Sequence, residues 1–240
     1  MLKAPYGIYD FHIKSYHTDC NGKLTLATIF QFLQECAWDN ARKNGFGFED
    51  LKQKNALWVL SKILIRIDKY PKWKDQIQIK TWAKGTEGLF AIRDFKIFKN
   101  NSAIANITSY WLIIDSSTHR PQRLNGFNFI HENYLAEHAI EKRLGKVIID
   151  QETAITDTRK VYYSDLDINK HVNNATYIRW ITDSYYSVHT SNIREFEINF
   201  IHELNLNDEF VIEKAGIKNE QYFMLWDKNQ KDICKVRLAT

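Results

Sequence analysis

The sequence predicts an α+β fold in which one unit, a buried helix followed by antiparallel strands, is used twice. Three observations carry this prediction. A helical apolar stripe in the first half is followed by segments that alternate apolar and polar, the same order recurs in the second half, and the segments leading into the two helices align without a gap.

Residues 25–44 (TLATIFQFLQECAWDNARKN) place Ile29, Phe32, Leu33, Cys36 and Trp38 at mostly three- and four-residue spacings, the helical period. Gly45 stops the helix, and Phe30 and Ala37 widen its apolar face enough to predict deep burial. From Ala56 the pattern changes. Alternation over residues 63–67, again in QIQIKTW and in FAIRDFKIFKN, predicts strands, and the turn-prone KNNS leads into a further strand, SAIANITSYWLIID. Residues 125 to about 158 are polar and charged. After them a helix is expected from about 174 to 189, then strands FEINFIHEL, DEFVIEKAG, QYFMLWD and DICKVRLA.

The segment DCNGKLTLAT beginning at Asp19 aligns with DINKHVNNAT beginning at Asp167 at an offset of 148, which is 167 minus 19. Asp19 pairs with Asp167, Asn21 with Asn169, Ala27 with Ala175 and Thr28 with Thr176, while Leu24 faces Val172. His171 is matched by Lys23, so the group that exchanges protons near neutral pH occurs in one copy only. A duplicated fold with a single active site is the expectation, divided as residues 1–130 and 131–240.

Composition bounds the classes. Hydrophobic residues make up 44% of the 240 and aromatics 14%, ample for packed cores. No apolar run approaches the roughly 20 residues of a membrane span, and the opening MLKAPYGIYDFHIKSY lacks the apolar stretch of a signal peptide. Cys20, Cys36 and Cys234 are an odd number with no CxxC spacing, so neither a disulfide framework nor a zinc site is expected, and a reducing cytoplasm fits. A net charge of +4, with lysines scattered among acids, gives nucleic-acid binding no support and leaves an acidic protein partner open.

The residues richest in chemistry are Asp167, Asn169 and His171, alternating just before the second helix. On an extended backbone, period two would aim all three side chains into one space, beside helix N–H groups able to polarise a carbonyl oxygen. Helix capping by Asp and Asn and a solvated histidine are, on the residues alone, the plainer account of the same pattern.

The run DLDINKHVNNATYIRWI resembles the signature of acyl-acyl carrier protein thioesterases of the plant and bacterial type, and WVLSKILIRIDKYPKWKDQIQIKTW resembles a second segment of that family, with its Tyr70-Pro71-Lys72-Trp73. The likeness covers nearly the whole chain. It implies two tandem hot-dog domains, each a curved antiparallel sheet wrapped around a long helix, and hydrolysis of fatty acyl thioesters on acyl carrier protein without a cofactor. Carried over, the catalytic residues fall on Asp167, Asn169, His171 and Glu203. Leu204 stands where the family often has a cysteine, which favours water as the attacking group. Asp167 is expected either to fix geometry or to attack the carbonyl itself.

Ile29, Phe32, Leu33 and Cys36 are candidates to line an acyl tunnel, with core packing as the plainer account. Lys69, Lys72, Lys74 and Arg179 are candidates to steer an acidic carrier protein. An acyl-CoA thioesterase, an acyl-carrier dehydratase and a noncatalytic acyl-binding protein remain alternatives, and pairing of two chains into a homodimer stays open.

Overall fold

The computed structural model describes residues 6–127, 135–217 and 219–240. The chain folds into two compact units, Met1–Thr25 with Gln31–Leu144, and Leu26–Phe30 with Gly145–Thr240. Among the described residues no helix is long and apolar enough to cross a membrane.

In the first unit, β1 (Gly7–His12), β2 (Ala56–Ile67), β3 (Gln76–Glu87), β4 (Phe90–Lys99) and β5 (Ser102–Asp115) form an antiparallel sheet in the order β1-β3-β4-β5-β2. The β4–β5 hairpin turns on Asn100 and Asn101 at φ 50° and 61°, the left-handed pair a two-residue turn needs and asparagine tolerates. Helix α1 (Leu26–Lys43) presents Phe32, which stacks on Phe11 of β1 with centroids 4.2 Å apart. A short α2 (Phe48–Lys52) packs Leu51 with Ala56 and Ile113. Ile63, Leu64, Ile65, Ile79, Trp82, Phe95 and Ile107 of the sheet are fully buried, on one face or the other. Among them lies a charge: Arg93 Nη1 donates to Asn40 Oδ1 (2.7 Å) and Thr81 Oγ1 (3.2 Å), and burial pushes its pKa down to about 10.

The polar middle section has a physical explanation. Residues 135–144 run along the first sheet, tied by its charged and polar side chains. Trp82 Nε1 donates to Glu137 O (2.9 Å), Lys84 Nζ to Ile140 O (2.8 Å) and Lys62 Nζ to Leu144 O (3.0 Å). Ala139 N–H donates to Asp94 Oδ2 (2.7 Å), and Lys96 and Lys80 pair with Glu137. Ile140 and Leu144 pack on Leu64, Ile92 and Tyr110. These contacts carry residues 135–144 with the first unit; the division expected at 130/131 lies outside the described residues.

In the second unit, β6 (Ala154–Lys160), β7 (Glu195–Phe200), β8 (Glu209–Ile217), β9 (Glu220–Asp227) and β10 (Asp232–Ala239) follow the order β7-β10-β9-β8-β6, again antiparallel. Helix α3 (Asn174–Tyr186) starts at the N-cap Asn173, whose side chain accepts from Ala175 N–H (2.8 Å). Its Trp180 ring lies 4.4 Å from Phe210 and its Tyr177 ring 5.7 Å from Phe200. Each unit is thus an antiparallel sheet packed on a helix, the hot-dog arrangement the resemblance implies.

The structure departs from the sequence reading in places. Strands β1 and β6 and helix α2 were not anticipated, α3 ends at Tyr186, and β7 ends at Phe200, so Glu203 sits in a loop.

Candidate active site

Asp167, Asn169 and His171 are not on an extended segment, and the expectation that alternation aims all three into one space is corrected here. Leu166 and Val172 form an antiparallel bridge and the residues between them make a tight turn. Asp167 N–H donates to His171 O (2.8 Å), Lys170 N–H donates to Asp167 O (3.0 Å), and Lys170 takes the left-handed φ of 66° that closes the loop. The Asp167 carboxylate holds the turn from inside: Oδ1 accepts from Asn169 N–H (2.8 Å) and His171 N–H (3.3 Å), while Asn169 Nδ2 reaches Oδ2 (3.4 Å). An Asp-x-Asn sequence favours this because a short carboxylate reaches amides two and four residues on.

Two other turns in the chain obey the same chemistry. Asp19 Oδ1 accepts from Asn21 and Lys23 N–H (2.8 and 2.9 Å), with Gly22 at φ 70°. In the β9–β10 hairpin, Asp227 Oδ1 accepts from Asn229 and Lys231 N–H (2.8 and 2.9 Å), with Gln230 at φ 60°. A structural duty for Asp167 therefore exists wherever this motif occurs, with or without a histidine nearby.

What distinguishes the turn at Asp167 is its partner loop. His171 Nδ1 lies 3.2 Å from Glu203 Oε2, with side chains 36% and 44% exposed, so the pair is open to solvent on one side. The loop is fastened at one side to the end of the turn and at the other to Val161, upstream of it. Val172 N–H donates to Leu204 O (3.1 Å), Val161 N–H donates to Asp208 O (2.9 Å), and Asn207 N–H donates to Val161 O (3.1 Å). Asp208 Oδ2 accepts from Asn205 N–H (2.8 Å) and keeps the loop compact. Chemically, a carboxylate on Nδ1 fixes the imidazole and leaves Nε2 to accept a proton.

The first unit carries the same frame with other side chains. Leu24 N–H donates to Pro71 O (2.8 Å), Ile13 N–H to Asp75 O (2.9 Å) and Lys74 N–H to Ile13 O (2.9 Å), and Lys72 N–H donates to Asp75 Oδ2 (2.8 Å). Lys74 and Asn207 match in φ, 73° and 70°. The offset is 148 on the turn and 133 on the loop (208 minus 75), so Tyr70 stands where Glu203 is and Pro71 where Leu204 is. The sequence comparison missed this second correspondence because 15 residues fewer separate turn from loop in the second half (148 minus 133). Its signal was the shared Asp at 75 and 208.

The other candidates are placed as follows. Ile29, Phe32, Leu33 and Cys36 are all buried, between 1% and 9% exposed. An apolar pocket beside α1 is lined by other residues of that helix, Ala37, Trp38 and Ala41, with Phe46, Trp58 and Trp111. Arg179 pairs with buried Asp165 at 2.5 Å, and Lys74 lies over the Trp73 ring at 4.7 Å. All three cysteines are free thiols, Cys20 exposed, Cys36 and Cys234 buried, and burial pushes the Cys36 thiol up to about 12. Among the described residues no three His, Cys, Asp or Glu side chains converge as a metal site.

Comparison with known proteins accounts for both units. Residues 8–127 match the family model of the acyl-ACP thioesterase N-terminal domain and residues 148–239 that of the C-terminal domain. The chain is 32% identical over 195 residues to an oleoyl-acyl carrier protein thioesterase 2 of Arabidopsis thaliana, covering 72% of this chain and 52% of that protein. It is 31% identical to a palmitoyl-acyl carrier protein thioesterase of Gossypium hirsutum, covering 73% and 46%. Both relatives are chloroplastic, and the chain spans about half their length. Among solved structures, an acyl-ACP thioesterase from Bacteroides thetaiotaomicron superposes with a TM-score of 0.88 at 28% identity, covering 98% of this chain and 97% of that one. A 12:0-ACP thioesterase from Umbellularia californica superposes at 0.86 with 18% identity, covering 100% and 98%, a likeness of fold.

Proposed function

The chain belongs to the acyl-ACP thioesterase family, and on that premise we propose that it hydrolyses the thioester joining a fatty acyl group to acyl carrier protein, releasing free fatty acid and ending chain elongation. The observation that carries this reading is the His171–Glu203 pair, 3.2 Å apart and half open to solvent, held by a turn and a loop whose counterparts in the first unit lack both groups.

In this reading Glu203 holds the proton on His171 Nδ1 and stabilises the imidazolium as it forms. Nε2 takes a proton from water as the water oxygen attacks the thioester carbonyl carbon, and the carbonyl electron pair moves onto oxygen. Asn169, exposed at the tip of the turn, is the side chain assigned to that developing oxyanion. Collapse restores the carbonyl, breaks the carbon–sulfur bond, and returns the Nε2 proton to the departing sulfur of the phosphopantetheine arm.

Asp167 acts as the turn's internal clamp. Its Oδ1 is occupied by two backbone amides, and the same clamp recurs at Asp19 and Asp227, which favours positioning over nucleophilic attack. Leu204 has no nucleophile to offer, and Cys234 is buried with its thiol pushed up by desolvation, so water is the attacking group. The free thiols support residence in a reducing compartment.

Release of free fatty acid from acyl carrier protein thioesters, set against the matched acyl-CoA esters, tests the assignment. Turnover restricted to CoA esters would move the chain to an acyl-CoA thioesterase, and binding without turnover to an acyl-binding protein.

A further inference from the structure

The two halves differ by a linked set of residues. Where the second has His171, Glu203, Leu204 and Tyr177, the first has Lys23, Tyr70, Pro71 and Ile29, the last pair again 148 apart (177 minus 29). In the second unit Leu204 N–H donates to the Tyr177 hydroxyl oxygen at 3.1 Å. The equivalent residues in the first half of the sequence cannot make that bond from either side, because proline has no N–H and isoleucine side chains have no acceptor.

We infer that Tyr177 is a positioning residue of the site, fixing the backbone at Leu204 so that the carboxylate of the preceding Glu203 meets His171 Nδ1. This rests on the thioesterase reading above. Leu204 is held by both of its backbone polar groups. Its carbonyl accepts from Val172 N–H, next to His171, a bond the first unit repeats between Leu24 and Pro71 and which belongs to the shared frame. Its amide goes to Tyr177, a bond found only where the histidine and the carboxylate are present. The tyrosine suits the task. It is 2% exposed, and its ring is fixed by Trp180 at 5.4 Å and Phe200 at 5.7 Å, so the hydroxyl cannot swing away from the loop. Without it, the Leu204 amide is left unsatisfied in a buried position and the residues around it must shift to find a partner.

Tyr177→Phe keeps the ring and removes the acceptor. Two readouts are taken: hydrogen exchange at the Leu204 amide, and kcat and KM for a carrier-linked acyl thioester. Positioning predicts faster exchange at Leu204 with strand amides of β7–β10 unchanged, and a kcat lowered about ten- to a hundredfold at constant KM, the cost of a misplaced catalytic group. Leu204→Pro imports the first unit's residue, and if it removes the same bond the double variant is no slower than Leu204→Pro alone. Multiplying losses, or fast exchange with unchanged kcat, would overturn the inference. If Leu204→Pro fails to fold, Tyr177→Phe decides by itself. If the wild type hydrolyses no thioester, the functional reading fails separately, and unaltered Leu204 exchange in Tyr177→Phe then refutes the positioning bond while accelerated exchange upholds it.

Discussion

Replacing Glu203 by glutamine removes one charge and keeps the side-chain volume, which isolates the electrostatic part of the His171–Glu203 pair. At 3.2 Å a full charge pair is worth about 1 kcal/mol in water and about 5 kcal/mol at an effective dielectric of about 20. With the two side chains 36% and 44% exposed, the aqueous end dominates, and about 1.5–2.5 kcal/mol is the reasonable range for stabilising the imidazolium that forms on proton transfer. This converts to a kcat lower by about 10- to 100-fold. The folded state loses much less, under about 1 kcal/mol, because an exposed ion pair contributes little at equilibrium. The assay is steady-state release of fatty acid from acyl carrier protein, with a denaturation midpoint on the same samples. A Glu203→Gln enzyme with wild-type kcat, or one changed only in KM, would refute the reasoning.

Other perturbations test other links. Asp167→Asn retains a carbonyl oxygen to accept from the turn amides, so kcat stays within about tenfold of wild type; a loss of about ten-thousandfold, read on the same substrate, would restore the carboxylate as nucleophile. Phe32→Ala removes the ring stacked on Phe11 and lowers stability by about 3 kcal/mol in urea unfolding; full stability with altered chain-length preference would instead make Phe32 a tunnel wall. The hydrogen bond from Lys96, aided by Tyr6 and Lys80, holds the Glu137 carboxyl down from 4.5 to about 2. A folded-state pKa below the unfolded one contributes stability that is full above pH 4.5 and is lost as pH falls towards about 2. Glu137→Gln therefore costs stability at neutral pH and flattens the acid limb of a stability–pH curve, whereas parallel curves would show that the strap of residues 135–144 does not depend on that charge.

The central strands and helices α1 and α3 were legible because burial imposes a period on them. In β3, Ile77 and Ile79 are buried while Gln76 and Gln78 are exposed, and α1 shows its apolar residues every third or fourth position. Edge strands escape this logic. β6 (AITDTRK) is almost wholly exposed, so its sequence has no face to declare, and β1 is short and half polar. The repeat was visible in the ten residues leading into α1 and α3, but its second part, the loop carrying Glu203, was hidden by the change of offset and became plain only through matching hydrogen bonds. The turn itself was misread because period two is also the spacing at which an aspartate bonds the amide two residues later. Gly22, in the position of Lys170, was the clue that the backbone there runs left-handed.

Leu204 N–H and Tyr177 show what a sequence cannot display unaided. A tyrosine on the apolar face of a helix reads as core, and only the loop docked against it reveals an acceptor with a task. The four candidate catalytic residues came together through family resemblance; in the structure the Asp167 carboxylate accepts from amides of its own turn, while His171 and Glu203 face each other.

The most direct test of the account is free fatty acid release by wild type and His171→Ala from a panel of acyl carrier proteins and the matched acyl-CoA esters. The account predicts turnover of carrier-linked substrate that collapses in the variant while binding persists. Wild-type turnover of neither substrate, or a His171→Ala enzyme as fast as wild type, would contradict it.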